Sequence, residues 1–387
     1  MANSQPHILI VAGEASGDMH GANLVKAIKA QRPEVRISAM GGGALAAQGV
    51  NLVYESSRLA VVGLIEVLSH LGEIRAALAK LRAFLREQRP ELLILIDYPD
   101  FNLMLAATAK KLGIPVFYYI SPQVWAWRQG RVRTIRQRVD MMAVILPFEQ
   151  EFYRNRGVAV EFVGHPLLDE LAEVVSESPT PHGGPGRLIG LLPGSRRREL
   201  ATMLPIFLAA ARRLAAQLPT PPRFVLPLAP GLDPRELQGY GLDQAADLQI
   251  EISTEQRHRT MARCDVVMAA SGTVTLELAI LGVPMVAAYK LSPLSYLLGR
   301  LLIDLPHATL VNLVAGREVI PELLQYEATP EKISRAVADL LEDEGRRAEM
   351  VAALAQVRQQ LGGSGASQRA AALALAMLES SRVAITS

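Results

Sequence analysis

A chain of 387 residues, half of them hydrophobic and a fifth charged, is long enough to build two domains with a core in each. Its net charge of +2 excludes a globally basic nucleic-acid coat, so any basic surface must be local. The single cysteine, Cys264, excludes an internal disulfide and a cysteine-based metal cluster, which suits a reducing cytosol.

Met1 to Pro6 is polar, with neither the basic n-region nor the cleavage site of a leader. No charge-free run reaches the roughly 18 apolar residues that a bilayer span needs. His7 to Ala12 is the first expected strand. Gly13-Glu14-Ala15-Ser16-Gly17-Asp18 follows as a loop, with a helix from about His20 to Ala30. Arg36 to Met40 is the second strand. The Gly41-Gly42-Gly43 run after it matches the dinucleotide fingerprint only in its loosest form, and no acidic residue stands where a ribose would require one. Close packing of a loop on the sheet accounts for these glycines, so a nicotinamide site is not expected.

Leu59 to Leu78 is apolar around most of its circumference. The crowding of Val61, Val62, Leu64 and their neighbours exceeds one core stripe, and reads either as a buried helix or as a surface that docks on lipid. Glu91 to Ile96 is a continuous apolar strand. Asp97-Tyr98-Pro99-Asp100-Phe101-Asn102 leaves its C-terminal end, where ligands sit in open α/β sheets. Asp100, just before a helix, suits the N-cap, which frees Asp97 for chemistry. Val116 to Ile120 leads into Ser121-Pro122-Gln123-Val124-Trp125-Ala126-Trp127-Arg128. Arg128, Arg131, Arg133, Arg136 and Arg138 then read as a solvated helix face or as partners for the phosphate of an anionic lipid or lipid-like substrate. No RNP-type or helix-turn-helix pattern accompanies them, so nucleic acid is not expected.

Ser176 to Gly186 is the clearest composition shift and is expected to link the domains. Beyond it, the strand Arg187 to Leu192 ends in Pro193-Gly194-Ser195-Arg196 ahead of a helix from about Glu199. Val266 to Ala270 ends in Ser271-Gly272-Thr273, and the helix after it is stopped by Gly282 and Pro284. Two strand–loop–helix units of this kind aim backbone N–H groups and positive helix ends at an anion, and together suit one diphosphate neutralised by Arg196. Glu277, one turn into the second helix, is placed to accept from a ribose diol. Group transfer from a nucleotide sugar needs a base for the attacking hydroxyl and a stabiliser for the departing diphosphate. Asp97 and Arg196 fit these roles. His20 is a competing base, its intrinsic pKa suited to the task. No Asp-X-Asp triplet is present, so a metal-free arrangement is expected, with no cofactor.

Several of these segments together carry a resemblance. Ile8-Leu9-Ile10-Val11-Ala12-Gly13-Glu14-Ala15-Ser16-Gly17-Asp18, the Asp97–Asn102 and Ser121–Arg128 segments, Leu192-Pro193-Gly194-Ser195-Arg196, Ala270-Ser271-Gly272-Thr273 through Glu277, and Asn312 through Glu318 resemble the lipid-A-disaccharide synthase family. One departure is Val311, where the family more often has proline. The resemblance implies α/β architecture with two doubly wound Rossmann-like domains facing a cleft (GT-B) and a C-terminal helix returning to the first domain. The expected division is 1–175, linker 176–186, 187–345, and 346–387 crossing back. It implies an inverting, metal-independent glycosyltransferase that joins UDP-2,3-diacylglucosamine to 2,3-diacylglucosamine 1-phosphate. Asp97 becomes the base. Gly194, Ser195, Arg196, Ser271, Gly272, Thr273, Glu277 and Asn312 become donor contacts, and Glu14, Ser16, Gly17, His20, Ser121 and Trp125 line the acceptor side. Val61, Val62, Leu64, Arg128 and Arg131 are expected to face membrane lipid, on the inner leaflet of the inner membrane. A homodimer stays open, as do two rival readings: a UDP-sugar 2-epimerase of the same architecture, and a non-catalytic sugar-nucleotide sensor.

Overall fold

β1 (His7–Ala12) is buried at every position, which requires a sheet covered on both faces. The computed structural model describes residues 5–56, 71–177, 186–292, 296 and 305–386. Val61, Val62 and Leu64, with most of the apolar Leu59–Leu78 segment, lie outside the described residues. The chain forms two compact units, Met1–Pro166 with Gly363–Ser387, and Leu167–Gly362.

In the first unit β1 lies between β2 (Arg36–Gly41), itself flanked by β3 (Asn51–Glu55), and β4 (Leu92–Ile96). β5 (Val116–Tyr119), β6 (Met141–Val144) and β7 (Val160–Phe162) follow β4 outward, all in parallel. Alternation along the strands divides the core in two. Leu9, Val11, Leu93 and Leu95 join one buried cluster, and Ile8, Ile10, Leu92, Ile94 and Ile96 join the other. The second cluster is completed by Leu24, Val25 and Ile28 of the helix Ala15–Gln31 and by Ala370, Ala374 and Leu378 of the last helix, Ala366–Thr386. The C-terminal helix therefore returns to the first unit. Arg369 fastens it, donating from Nε to the Val163 carbonyl at 2.8 Å.

The second unit repeats the plan. β8 (Leu188–Leu192) lies between β9 (Arg223–Pro227) and β11 (Val266–Ala270). β10 (Ile250–Ser253) borders β9, while β12 (Met285–Tyr289) and β13 (Glu322–Leu324) follow β11. The short helices Leu167–Glu170 and Ala172–Ser176 belong here, because they pack on Arg257–Ala262 and Val274–Leu281 and Arg259 pairs with Glu173 and Glu177. The change of unit thus falls at Pro166, ahead of the composition shift at Ser176. The helix Glu344–Gln360 also stays in this unit, packed on Val274–Leu281 and Leu310–Ala315. In both sheets the strand order reverses once, between β1 and β4 and between β8 and β11. Loops leaving such a pair part to opposite faces and open a crevice at the strands' C-terminal ends. Those ends are where Gly13 and Asp97, and Gly194 and Ser271, lie. No described helix is long and apolar enough to cross a membrane.

Candidate functional site

At the switch point of the first unit, Asp97 and Tyr98 follow β4 in consecutive left-handed conformations, with φ 45° and 46°. For residues other than glycine this costs about 1–3 kcal/mol each. The carbonyls around the turn are held from inside the unit. Buried Asn102 donates from Nδ2 to Ile96 O at 3.1 Å and to Asp97 O at 2.7 Å, and the Tyr118 hydroxyl donates to the same Asp97 carbonyl. The turn lays the Tyr98 ring over Gly13, where a Cβ would come within 2.4 Å of a ring carbon, so the β1 loop must carry glycine there. Asp97 is pinned by its backbone, with its carboxyl beside Glu14. Burial pushes the Asp97 carboxyl up to about 6, the negative charge of Glu14 adds to the rise, and a backbone hydrogen bond from Tyr98 opposes it.

Asp100 is not the expected N-cap. Tyr98 occupies that position without a side-chain cap, Pro99 takes the first helical position, and exposed Asp100 pairs instead with Arg131 and lies 3.9 Å from Arg128. The cap is unnecessary because the backbone turn is already tied down by Asn102.

The helix expected from about His20 begins at Ala15, so Ser16 and Gly17 sit in its first turn, Ser16 exposed and Gly17 buried. Asp18 points back at the Gly41-Gly42-Gly43 loop. Its carboxylate accepts from Gly42 N at 2.7 Å, Ala44 N at 2.8 Å and Leu45 N at 3.2 Å. A protein carboxylate thus occupies the amide cradle of the loose dinucleotide fingerprint, and a Cβ on Gly41 would strike Leu45 at 2.3 Å. Those glycines serve packing. Burial holds His20 down at about 4, and His165 beside it is lowered to about 3 by burial and by His20. His20 is therefore neutral near pH 7 but a weaker base than Asp97.

Ser121 and Trp125 are buried, and both turn inward. Ser121 Oγ and Trp125 Nε1 donate to one oxygen of Glu149, at 2.6 and 3.0 Å, while the other oxygen accepts from Leu146 N at 3.1 Å. Burial pushes the Glu149 carboxyl up to about 7 against these hydrogen bonds. The next residues face out: Trp127 is exposed, and the Arg128 guanidinium stacks 4.0 Å from its ring centroid.

In the second unit Gly194 takes φ 116°, and a Cβ there would lie 2.6 Å from Glu199. The amides of Ser195 and Arg196, expected to face a diphosphate, donate to Glu199 Oε2 at 3.0 and 3.2 Å. This is the reciprocal half of a capping box, with glutamate at the third helical position. Glu199 Oε1 also accepts from Arg196 Nη1 at 3.2 Å and from the Tyr289 hydroxyl at 3.3 Å. The Arg196 side chain remains 69% exposed and presents its guanidinium to solvent. At the end of β11, Ser271 donates from its amide to Ala288 O at 3.1 Å and from Oγ to Ala308 O at 3.3 Å. Gly272 and Thr273 are exposed at the start of the helix Val274–Leu281. A Cβ on Gly272 would meet nothing within 4 Å, so the protein's own packing does not demand glycine there, whereas a ligand lying against the loop would.

Glu277 is 13% exposed and meets Arg257 Nη1 at 2.5 Å and His258 Nε2 at 3.3 Å, both through Oε2. Burial would raise its pKa, but His258 and Arg257 outweigh that and hold the carboxyl below the usual range, so it is ionised. Asn312 is fully buried and does not face a ligand. Its Nδ2 donates to Ile320 O at 2.9 Å and Glu322 Oε1 at 2.8 Å, and its Oδ1 accepts from Val319 N at 2.7 Å and Ile320 N at 3.0 Å. With both ends of the amide engaged inside the protein, Asn312 braces the turn before β13. Among the described residues no group of three His, Cys, Asp or Glu side chains is arranged to hold a metal.

Residues 8–377 match the sequence profile of the Lipid-A-disaccharide synthetase family. The chain belongs to this family. It is 49% identical over 383 residues to a protein of Nitrosococcus oceani named lipid-A-disaccharide synthase, covering 98% of each chain, and 47% identical to one so named from Trichlorobacter lovleyi, covering 98% and 100%. The match includes both switch points, so family membership covers the Asp97 turn and the Arg196 loop alike. Solved structures extend the likeness in fold. The calicheamicin glycosyltransferase CalG4 superposes with TM-score 0.62 at 18% identity, covering 97% of this chain and 99% of that one. A putative UDP-N-acetylglucosamine 2-epimerase of Listeria monocytogenes gives 0.63 at 14%, covering 97% and 96%. Identities so low show the shared two-domain GT-B fold alone, and the epimerase likeness does not favour that activity over the family's.

Glu149, Glu199, Arg257 and Glu322, which hold the predicted residues in place, were not evident from the sequence. Glu199 alone carried a local signal, its three-residue spacing from the helix start.

Proposed function

We propose that the chain is an inverting glycosyltransferase that joins UDP-2,3-diacylglucosamine to 2,3-diacylglucosamine 1-phosphate through a β-1,6 bond, releasing UDP. Asp97 takes the proton of the acceptor 6-hydroxyl as that oxygen bonds to the donor anomeric carbon. The bond from that carbon to the β-phosphate oxygen breaks, and its electron pair leaves with UDP. Arg196 and the exposed start of the helix Val274–Leu281 stabilise the departing diphosphate. Glu277, ionised and oriented through Oε2 by Arg257 and His258, accepts from the ribose with Oε1. The observation that carries the reading is Asp97, a carboxyl with a pKa near 6 fixed at the switch point by its backbone. A base so tuned is largely ionised at neutral pH yet still competent to take a proton.

The lipid-facing part of the reading is supported by exposed Trp127 with Arg128 stacked on it, a pairing suited to the headgroup level of an anionic leaflet. We place the enzyme on the inner face of the inner membrane on this ground and on the acylated substrates that the family's name implies.

Purified protein incubated with both acylated sugars is expected to yield the disaccharide 1-phosphate and UDP by mass spectrometry, with undiminished yield in EDTA. Turnover of the UDP-sugar without acceptor would support the epimerase instead, and binding without turnover would support a sensor. A strict metal requirement would overturn the assignment of charge neutralisation to Arg196 and the helix start.

The rate should also report the tuning of Asp97. Because the ionised form reacts, kcat/KM is level well above the Asp97 pKa of about 6 and falls toward about tenfold per pH unit below it. The acceptor phosphate titrates in the same region, so the variant decides: Glu14→Gln removes a charge that raises the pKa, and its acid limb should move to lower pH. An unmoved limb would mean that another group titrates.

A further inference from the structure

The residues that make the diphosphate loop rigid converge on one carboxylate that the family reading leaves without a role. Glu322, the first residue of β13, accepts from four donors. Its Oε2 takes Ala308 N at 2.9 Å. Its Oε1 takes Thr309 N at 2.9 Å, Thr309 Oγ1 at 2.6 Å and Asn312 Nδ2 at 2.8 Å. Thr309 is the N-cap of the helix Leu310–Ala315, and its hydroxyl also accepts from Asn312 N at 3.3 Å. Thr309 and Asn312 are fully buried. Ala308 bridges from this cluster to the anion loop: its amide is fixed by Glu322 while its carbonyl receives the Ser271 hydroxyl at 3.3 Å. A chain of hydrogen bonds therefore runs from the β13 edge strand to Ser271, the first residue of the loop that leads into the helix Val274–Leu281. Farther along the same strand end, Gln325 clamps both backbone groups of Leu291, each at 3.0 Å.

We propose that Glu322 is a positioning residue for the donor: through Ala308 it fixes the Ser271 hydroxyl, and with it the loop that meets the diphosphate of a nucleoside diphosphate sugar. This rests on the reading of Ser271–Thr273 as the diphosphate loop. A carboxylate is needed because all four groups donate, and only an acceptor at both oxygens satisfies them. Glu322→Gln is a selective disturbance. The amide oxygen can replace Oε1 for Thr309 and Asn312, but the amide nitrogen then faces Ala308 N–H, donor against donor, and the link to Ser271 is lost.

The experiment uses the full chain, UDP as probe in calorimetry, and steady-state kinetics with both substrates. Glu322→Gln is expected to raise the UDP Kd and the donor KM about tenfold, the usual effect of one misplaced hydrogen-bonding group, while the acceptor KM stays within about twofold. In a Ser271→Ala background the same substitution should add little further, because both act through one link. Should Glu322→Gln fail to fold, Thr309→Val withdraws one donor from the same carboxylate and should raise the donor KM by a smaller factor. Unchanged UDP affinity and donor KM, or effects that add fully with Ser271→Ala, would overturn the proposal. If the parent protein does not bind UDP at all, it is the diphosphate reading that fails.

Discussion

Asp97→Asn is expected to bind UDP as the parent protein does and to lose transfer by about 10²- to 10⁴-fold in kcat, the usual contribution of a positioned general base. At 1.36 kcal/mol per decade this is a barrier about 2.7–5.4 kcal/mol higher. Asparagine is the right replacement because the site is demanding for backbone as well as side chain. Asp97 stands at φ 45°, a region that asparagine tolerates and alanine does not, and its carbonyl anchors Asn102 and Tyr118. Alanine would mix loss of the base with strain in the turn. Asparagine keeps the turn and removes the proton acceptor. His20 makes the competing forecast: held at about 4 by burial, it has little driving force to take a proton, so His20→Asn should cost far less in kcat than Asp97→Asn. Single-turnover measurements with saturating substrates separate the chemical step from release. Near-parental transfer by Asp97→Asn would remove Asp97 as the base.

How far these sites could be read in the sequence depended on whether their supports were local. Asp97 was legible because an apolar strand ending in Asp announces itself. The left-handed turn beneath it was not, since Asn102 and Tyr118 meet there only once β4 and β5 are paired. The Gly194-Ser195-Arg196 loop was legible as a helix start but its occupant was not. Capping boxes are usually recognised by a serine or threonine at the cap, and here Arg196 holds that place while Glu199 supplies the carboxylate. Asn312 was expected at the donor only through the family resemblance, yet its partners Ile320 and Glu322 come from the turn before β13 and from its first residue. The Ser176–Gly186 composition shift does not coincide with the change of unit, which falls at Pro166 and is set by packing and by the Arg259 pairs. The doubly wound α/β class, by contrast, followed from continuous apolar runs alternating with helices, while the strand order within each sheet did not.

Arg196→Ala is expected to lower kcat by about 10²- to 10³-fold, the usual effect of removing one donor aimed at developing charge. The structure makes this a clean test of leaving-group stabilisation. The side chain is 69% exposed, so its loss opens no cavity; it removes one exposed ion pair to Glu199, while the Glu199 bonds from the amides of Ser195 and Arg196 and from Tyr289 remain. Stability should therefore change by about 0.5 kcal/mol or less, as at other exposed positions. Charge on the β-phosphate grows as the anomeric bond breaks, so the guanidinium acts more strongly on the transition state than on the bound donor, and kcat should fall by a larger factor than donor KM rises. Arg196→Lys, which keeps the charge but not the planar fork, should recover part of the rate. A variant that raised donor KM alone, with kcat untouched, would show Arg196 to be a binding group for the ground-state diphosphate, and would leave the helix start at Val274 as the stabiliser of the departing UDP.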